Sequence, residues 1–240
     1  MGEAIGTAAS VMLGTAATCR MRLGGGDGSW HALTMSMAWV GATFAGLLIA
    51  ASSGAGHLNP AVTLGLYAGG HFPGDRVQPF MLAQCLGAFL GAALMWLSCL
   101  PLWGQAGGDR RTIDCFCVQP AVRAPLGILL VEVVGTMLLV AGFLALRKAC
   151  AADPTTSVVE GRGIMLWAIG GAALTLSLGL SLAGGWGVAL NPARDLGPRL
   201  AHTLLPLPGK GSSAWWEAWP AVVGPLVGAW IAGALSRTLA

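Results

Sequence analysis

The chain has 240 residues, of which 55% are hydrophobic and only 10% charged, against roughly 25% charged residues in a typical soluble domain. Its formal charge of +3 comes from thirteen basic residues scattered through connecting segments. No run of five or more exists to suggest a nucleic-acid or lipid-headgroup patch, so basicity is uninformative about partners; the apolar composition points to the lipid bilayer, and no nucleic-acid partner is expected.

A bilayer core about 30 Å thick needs roughly twenty apolar residues per helix. On that measure the chain presents spans at Gly2 to Cys19, Ala32 to Ala51, Pro79 to Trp103, Pro125 to Leu146, Gly163 to Ala183 and Trp215 to Leu235. The first starts without a basic leader or cleavage site, so it reads as a span and not as a signal peptide. The apolar stretches leave no segment polar enough for a separate soluble domain, and one domain over residues 1–240 is expected. Cys19, Cys85 and Cys99 fall in or beside spans, where a thiol behaves as a small hydrophobe. Cys115 and Cys117 flank Phe116 in a polar loop with too few further ligands for a metal. Neither a disulfide framework, a metal nor a cofactor is expected.

Between the spans lie two segments too short to cross a membrane yet too apolar for ordinary loops, and both open with Asn-Pro-Ala, at Asn59-Pro60-Ala61 and Asn191-Pro192-Ala193. Asparagine is a good N-cap and proline fits the first helical position, so each motif predicts the start of a half-helix. Irregular backbone at membrane depth is tolerated only when buried in protein or lining a wet cavity, which ties both half-helices to a pore or binding site.

The two halves also repeat. Gly2-Glu3-Ala4-Ile5-Gly6-Thr7 matches Val131-Glu132-Val133-Val134-Gly135-Thr136, and Gly87-Ala88-Phe89-Leu90-Gly91-Ala92 is echoed by Gly224-Pro225-Leu226-Val227-Gly228-Ala229. The unit is three spans plus one half-helix, over about 1–104 and 124–240. Three is odd, so the second unit enters from the opposite side. The expected fold is an all-α membrane protein of six transmembrane helices and two re-entrant half-helices in an inverted repeat, the half-helix N-termini facing each other.

Opposed N-termini put roughly half an elementary charge each at mid-membrane, a barrier to cations. The two asparagine amides can each donate to an oxygen passing between them, and waters turned in opposite directions from that point conduct protons poorly. The Gly-rich approaches Gly54-Ala55-Gly56-His57-Leu58 and Gly184-Gly185-Trp186-Gly187-Val188 suit an extended backbone. Ala55, Gly56, His57, Gly187 and Ala189 are the candidates for a track of carbonyl acceptors, with an apolar wall opposite for solutes that have one polar and one hydrocarbon side.

Arg194 sits where an arginine is costly unless functional. A salt bridge to Asp195 is the alternative, disfavoured because adjacent helical positions do not face each other. Glu3 and Glu132, each inside an apolar span, must find donors, and their matched placement points to the backbone leading into the half-helices. His57 reads as a brace for its loop, and His31, His71 and His202 as ordinary interfacial residues.

The runs His57-Leu58-Asn59-Pro60-Ala61-Val62-Thr63 and Asn191-Pro192-Ala193-Arg194-Asp195-Leu196-Gly197-Pro198-Arg199 resemble the aquaporin family, especially its glycerol-facilitator branch. The resemblance spans essentially the whole chain. It implies a homotetramer with one pore per subunit, in a bacterial inner membrane with both termini cytoplasmic. It also implies an outer constriction of Trp39, Gly179, Val188 and Arg194, wide because water-selective members carry histidine where Gly179 stands. Asp195 and Arg199 likewise match the glycerol branch. Val188 departs from its bulky aromatic, Gly54-Ala55-Gly56-His57 from its Ser-Gly-Ala-His run, and Ala221-Val222 from its Pro-Leu pair. The implied solutes are glycerol, similar polyols and water, with urea and metalloid acids as alternatives.

Competing classes are weaker. An ion-coupled transporter needs a titratable centre near the motifs, and Glu3 and Glu132 come too early in their helices. A scaffold component has no need of intact Asn59, Asn191 and Arg194. No nucleophile, base and orienting group converge as an enzyme requires.

Overall fold

The computed structural model describes residues 1–24, 31–53, 56–105, 112–119, 124–152, 162–182 and 187–239. In chain order the helices are α1 (Gly2–Leu23), α2 (His31–Ala51), α3 (Pro60–Ala68), α4 (Gly74–Ser98), α5 (Pro125–Ala152), α6 (Arg162–Leu182), α7 (Pro192–Leu204) and α8 (Trp219–Thr238), with 3-10 turns at Leu100–Gln105 and Trp215–Glu217. The helices of five stretches, Leu33–Ala51, Gly74–Ser98, Pro125–Ala151, Gly163–Leu180 and Trp215–Thr238, are long and apolar enough to cross a membrane. The 22-residue α1 carries Glu3, Arg20 and Arg22, which lower its apolar content.

The helix bounds correct the predicted spans at several ends. α4 starts at Gly74 and not at Pro79, because the polar turn around Asp75 and Arg76 continues the helix outward and a proline this close to the start removes few bonds. The same helix stops at Ser98, and the stretch to Trp103 tightens into a 3-10 turn around Pro101. α8 begins at Trp219 with Pro220 in its first turn, and Trp215 belongs to the preceding 3-10 turn. α5 runs on past Leu146 to Ala152.

The helices pack inside out relative to a water-soluble bundle. Along α4 the buried face is Gln84, Gly87, Ala88, Gly91, Ala92 and Met95, while Leu82, Leu86, Leu90 and Leu94, four residues apart, are exposed. α5 exposes Leu126, Leu130, Val134 and Leu138 and buries Glu132. An apolar stripe of this length outside, with polar groups inside, suits hydrocarbon and not water.

Small residues set the helix spacing. A side chain on Gly87 or Gly91 of α4 would strike the backbone carbonyls of Ala4 or Ala8 in α1, and one on Gly228 of α8 would strike that of Val133 in α5, the close approach expected of small residues four apart. α1 packs on α2 and α4, and α5 packs on α6 and α8. The short helices cross over: α7 lies against α4, and α3 against α8, so each is held by helices of the other half.

Candidate functional site

α3 and α7 open on the two Asn-Pro-Ala motifs in the same way. Asn59, in extended conformation, caps α3 by accepting from the Ala61 N–H at 2.8 Å. Asn191 caps α7 by accepting from Ala193 (3.0 Å) and Arg194 (3.2 Å). With each carboxamide oxygen spent on its own helix, the Nδ2 groups point outward. Asn59 Nδ2 donates to the Leu190 carbonyl at 2.8 Å, and Asn191 Nδ2 donates to the Leu58 carbonyl at 2.9 Å. The motifs are therefore latched to each other, and each amide retains one further hydrogen.

The residue before each asparagine is held in the left-handed region, Leu58 at φ 54° and Leu190 at φ 51°. That conformation costs a leucine roughly 1–2 kcal/mol and persists only where neighbours over-determine it. The neighbours are the two buried glutamates. Glu3 Oε1 accepts from the N–H groups of Gly56 (2.6 Å) and His57 (2.8 Å), and Oε2 from Leu58 N–H (2.8 Å) and Gln84 Nε2 (2.7 Å). Glu132 accepts from Ala189 (2.6 Å) and Leu190 (2.8 Å). A trans peptide aims its carbonyl opposite to its N–H. Drawing these N–H groups into the protein thus turns the carbonyls of Gly56, His57, Val188 and Ala189 the other way.

A cavity of about 600 Å³ runs past these groups. Its wall includes His57, Asn59, Gly187, Val188, Ala189 and Asn191. Pro60, Ala61, Pro192 and Ala193 are buried behind it, shaping the helix starts without lining the space. Among the expected carbonyls, Gly56 is already engaged by Trp167 Nε1 at 2.8 Å, Ala55 lies outside the described residues, and Val188 joins because its peptide is the one Glu132 turns. His57 Nδ1 lies 3.0 Å from Thr63 Oγ1, and its ring packs edge-on against Phe72 with centroids 4.8 Å apart.

Trp39, Gly179, Val188 and Arg194 all line the same cavity. The Arg194 guanidinium lies 4.6 Å from the centroid of the Trp39 ring, a cation–π contact, and its Nη1 has no hydrogen-bond partner among the described residues. Trp39 is itself positioned: its Nε1 donates to Thr18 Oγ1 at 3.3 Å, and a side chain on Gly14 would begin 2.6 Å from its ring. Neither Gly14 nor Thr18 carries a sequence signal beyond its place on α1, one turn apart.

Asp195 does not pair with Arg194. Its carboxylate accepts from Arg199 Nε at 2.9 Å and Nη2 at 3.0 Å, with both side chains buried, and from the Val118 N–H at 3.2 Å. Arg199 goes on to donate to the carbonyls of Ser213 and Ala214. The pair therefore ties α7 to two connecting segments. His202 corrects the interfacial reading: it is fully buried, with Nδ1 2.8 Å from Ser213 Oγ and its ring against Phe116. Cys115 and Cys117 sit in the core and not in an open polar loop, and Cys117 reaches the cavity wall. The wall expected to be apolar is mixed, since Leu47, Leu139, Phe143 and Leu178 share it with Ser36, Thr43 and Thr175.

The family model described as "Major intrinsic protein" matches residues 1–236. The chain belongs to that family. Its members are non-enzymatic transport proteins, and the chain is an integral membrane protein that crosses the bilayer several times. Among curated relatives, the "Probable glycerol uptake facilitator protein" of Thermotoga maritima is 37% identical over 242 residues, covering 100% of this chain and 98% of the relative. The "Glycerol uptake facilitator protein 3" of Lactiplantibacillus plantarum is 35% identical over 242 residues, covering 100% and 94%. The solved structure of the aquaglyceroporin from Plasmodium falciparum superposes with a TM-score of 0.79 at 25% identity, covering 97% of this chain and 91% of that one. The fold is thus aquaporin-like.

Proposed function

We propose that this chain is a passive channel for small uncharged solutes, chiefly glycerol and similar polyols together with water, and that it refuses ions and protons. The observation that carries this reading is the reciprocal Asn59–Leu190 and Asn191–Leu58 pairing inside a continuous cavity. It leaves two amide donors and the N-termini of α3 and α7 facing one space. A hydroxyl oxygen can accept from the amides while its proton goes to a turned-out carbonyl. A cation meets positive helix ends instead, and waters oriented by the two amides break the proton chain. The glycerol facilitators among the relatives support the solute class.

In this reading α1 is the sixth span, and α3 and α7 are re-entrant half-helices. The chain is one channel domain of inverted repeats over about 1–104 and 124–240, assembled as a homotetramer with both termini in the cytoplasm of a bacterial inner membrane. Glu3 and Glu132 hold the pore backbone, Asp195 holds α7 through Arg199, and Trp39, Gly179, Val188 and Arg194 form the outer constriction. A solute entering there separates the Arg194 guanidinium from the indole, presenting hydroxyls to the first and carbon to the second.

Stopped-flow light scattering on proteoliposomes tests the proposal. Vesicles bearing the protein should shrink in a glycerol gradient and re-swell at least tenfold faster than empty ones, without a proton current. Re-swelling at the empty-vesicle rate overturns the solute reading, and a sustained proton current overturns the exclusion mechanism.

A further inference from the structure

At its inner end the cavity wall is held from behind by a buried tryptophan. α2 and α6 run antiparallel, Ser36 standing where a side chain on Gly179 would reach and Leu47 where one on Gly171 would. Trp167 lies four residues before Gly171, about 18 Å along α6 from the Gly179 level at 1.5 Å rise per residue. It is 2% exposed, and its ring packs on Phe143 with centroids 4.9 Å apart. Trp167 Nε1 donates to the Gly56 carbonyl at 2.8 Å. That carbonyl belongs to the same peptide whose N–H, that of His57, donates to Glu3 Oε1 at 2.8 Å. One peptide plane is therefore gripped at both edges, by α1 of the first half and by α6 of the second. Gly56 itself stands at φ 128°, a backbone conformation that suits glycine, and a side chain there would begin 3.4 Å from Trp167 Nε1.

The matching peptide of the second half, between Val188 and Ala189, is held at one edge. Ala189 N–H donates to Glu132 at 2.6 Å, but among the described residues no group donates to the Val188 carbonyl, and Val188 lines the cavity. Resting on the channel reading above, we infer that Trp167 is a positioning residue of the pore, fixing together with Glu3 the peptide plane from which the first carbonyl track starts. It takes the Gly56 carbonyl out of that track. The two halves then present unequal sets of acceptors, the His57 carbonyl in the first and those of Val188 and Ala189 in the second. A planar peptide moves its N–H and its carbonyl together. Without the indole N–H, the Gly56 carbonyl is a buried acceptor left unmet, and its peptide turns until that oxygen reaches water in the cavity. The turn draws the His57 N–H off Glu3 and swings the next carbonyl, so each solute crosses a less regular row of acceptors.

The test replaces Trp167 by its benzothiophene isostere, in which sulfur stands where the indole carries N–H, and in a second variant by phenylalanine, Trp167→Phe. Glycerol flux per reconstituted protein is read in proteoliposomes at several temperatures. Both variants should lose about fivefold, the worth of one modest hydrogen bond. The deficit should deepen on cooling, because the barrier rises in every pore. A variant that only folds less well has fewer working pores, and its deficit is the same at every temperature. The isostere keeps the ring against Phe143, so a loss in Trp167→Phe that the isostere does not share reflects packing and overturns the positioning role. Wild-type flux in both variants, or a deficit that does not vary with temperature, overturns it as well. Each of these results leaves the channel reading intact, whereas a wild type that passes no solute overturns that reading itself.

Discussion

Replacing Glu3 with alanine should disable the pore while leaving the membrane fold largely in place. Glu3 is 2% exposed, and its carboxylate accepts from three backbone N–H groups, of Gly56, His57 and Leu58, and from Gln84. Orphaned buried donors cost about 1–3 kcal/mol each, so the three backbone groups amount to about 5 kcal/mol in a dry site. The cavity beside His57 admits water that offsets part of this, leaving about 3 kcal/mol. The left-handed strain at Leu58, roughly 1–2 kcal/mol, is released in the same direction. Once Leu58 relaxes, its carbonyl leaves Asn191 Nδ2, and the second motif loses its latch. Solute flux per reconstituted protein should fall more than tenfold, and the melting temperature in detergent by several degrees. Glu3→Gln should recover only part of both: its one oxygen can keep the Gly56 and His57 N–H groups and Gln84 Oε1, without a partner among the described residues, can turn to accept from the new amide, but Leu58 N–H then faces a donor. Wild-type flux in Glu3→Ala would refute the view that this carboxylate holds the pore backbone.

Four further outcomes follow from the same geometry. Gly14→Val should drive the Trp39 ring, 2.6 Å from the new carbon, off Thr18 and Arg194, altering the ratio of glycerol to water flux severalfold; an unchanged ratio refutes the positioning role of α1. Gly179→His should fold normally, since its first carbon meets Ser36 at an ordinary 3.4 Å, yet cut glycerol permeability at least tenfold with water flux much less affected, as stopped-flow scattering would reveal. Asp195→Ala strands the Arg199 guanidinium, 1% exposed, at a cost of about 3–5 kcal/mol; thermal denaturation should show it, and Asp195→Leu with Arg199→Met should recover most of the loss. The Cys117 thiol is pushed up to about 12, chiefly by burial and then by the charge of Asp195. Alkylation needs the thiolate, so peptide mass spectrometry should find Cys117 unlabelled at pH 8 in the folded protein and labelled after unfolding. Because the unfolded thiol ionises first, Cys117 contributes stability fully below the ordinary thiol range, and that contribution is lost as pH rises from about 9 towards 12.

The parts of this site that could be read in the sequence are those whose residue type is unusual for its surroundings. A carboxylate in an apolar span, an arginine beside a proline-started helix, and one tripeptide occurring twice are conspicuous against a background of Leu, Ala and Gly. Gly87 and Gly91 were legible as helix contacts because their spacing matches one helical turn. Three features were not legible. Leu58 and Leu190 are poor residues for a left-handed backbone, and only the glutamates more than fifty residues upstream explain why they adopt it. Thr43 and Thr175 could as well face lipid; which way they turn depends on how α2 and α6 pack. Ser36 could not be linked to Gly179 without the antiparallel register of those helices. Asp195 and Arg199, by contrast, stand one helical turn apart on α7, a spacing at which opposite charges meet.

The cross-latch at the centre also bears on how the protein is made. Asn59 is synthesised 131 residues before the Leu190 carbonyl that takes its amide proton, and α3 packs on α8, which emerges roughly 150 residues after it. A ribosome-bound N-terminal half thus has a capped short helix held by α4 and Glu3 alone, with no finished wall behind it. The passage exists only after the C-terminal third has inserted and docked. Partial chains should therefore be silent in the membrane, and the cell is spared a leak during biogenesis because the hole and the final assembly contact are one structure.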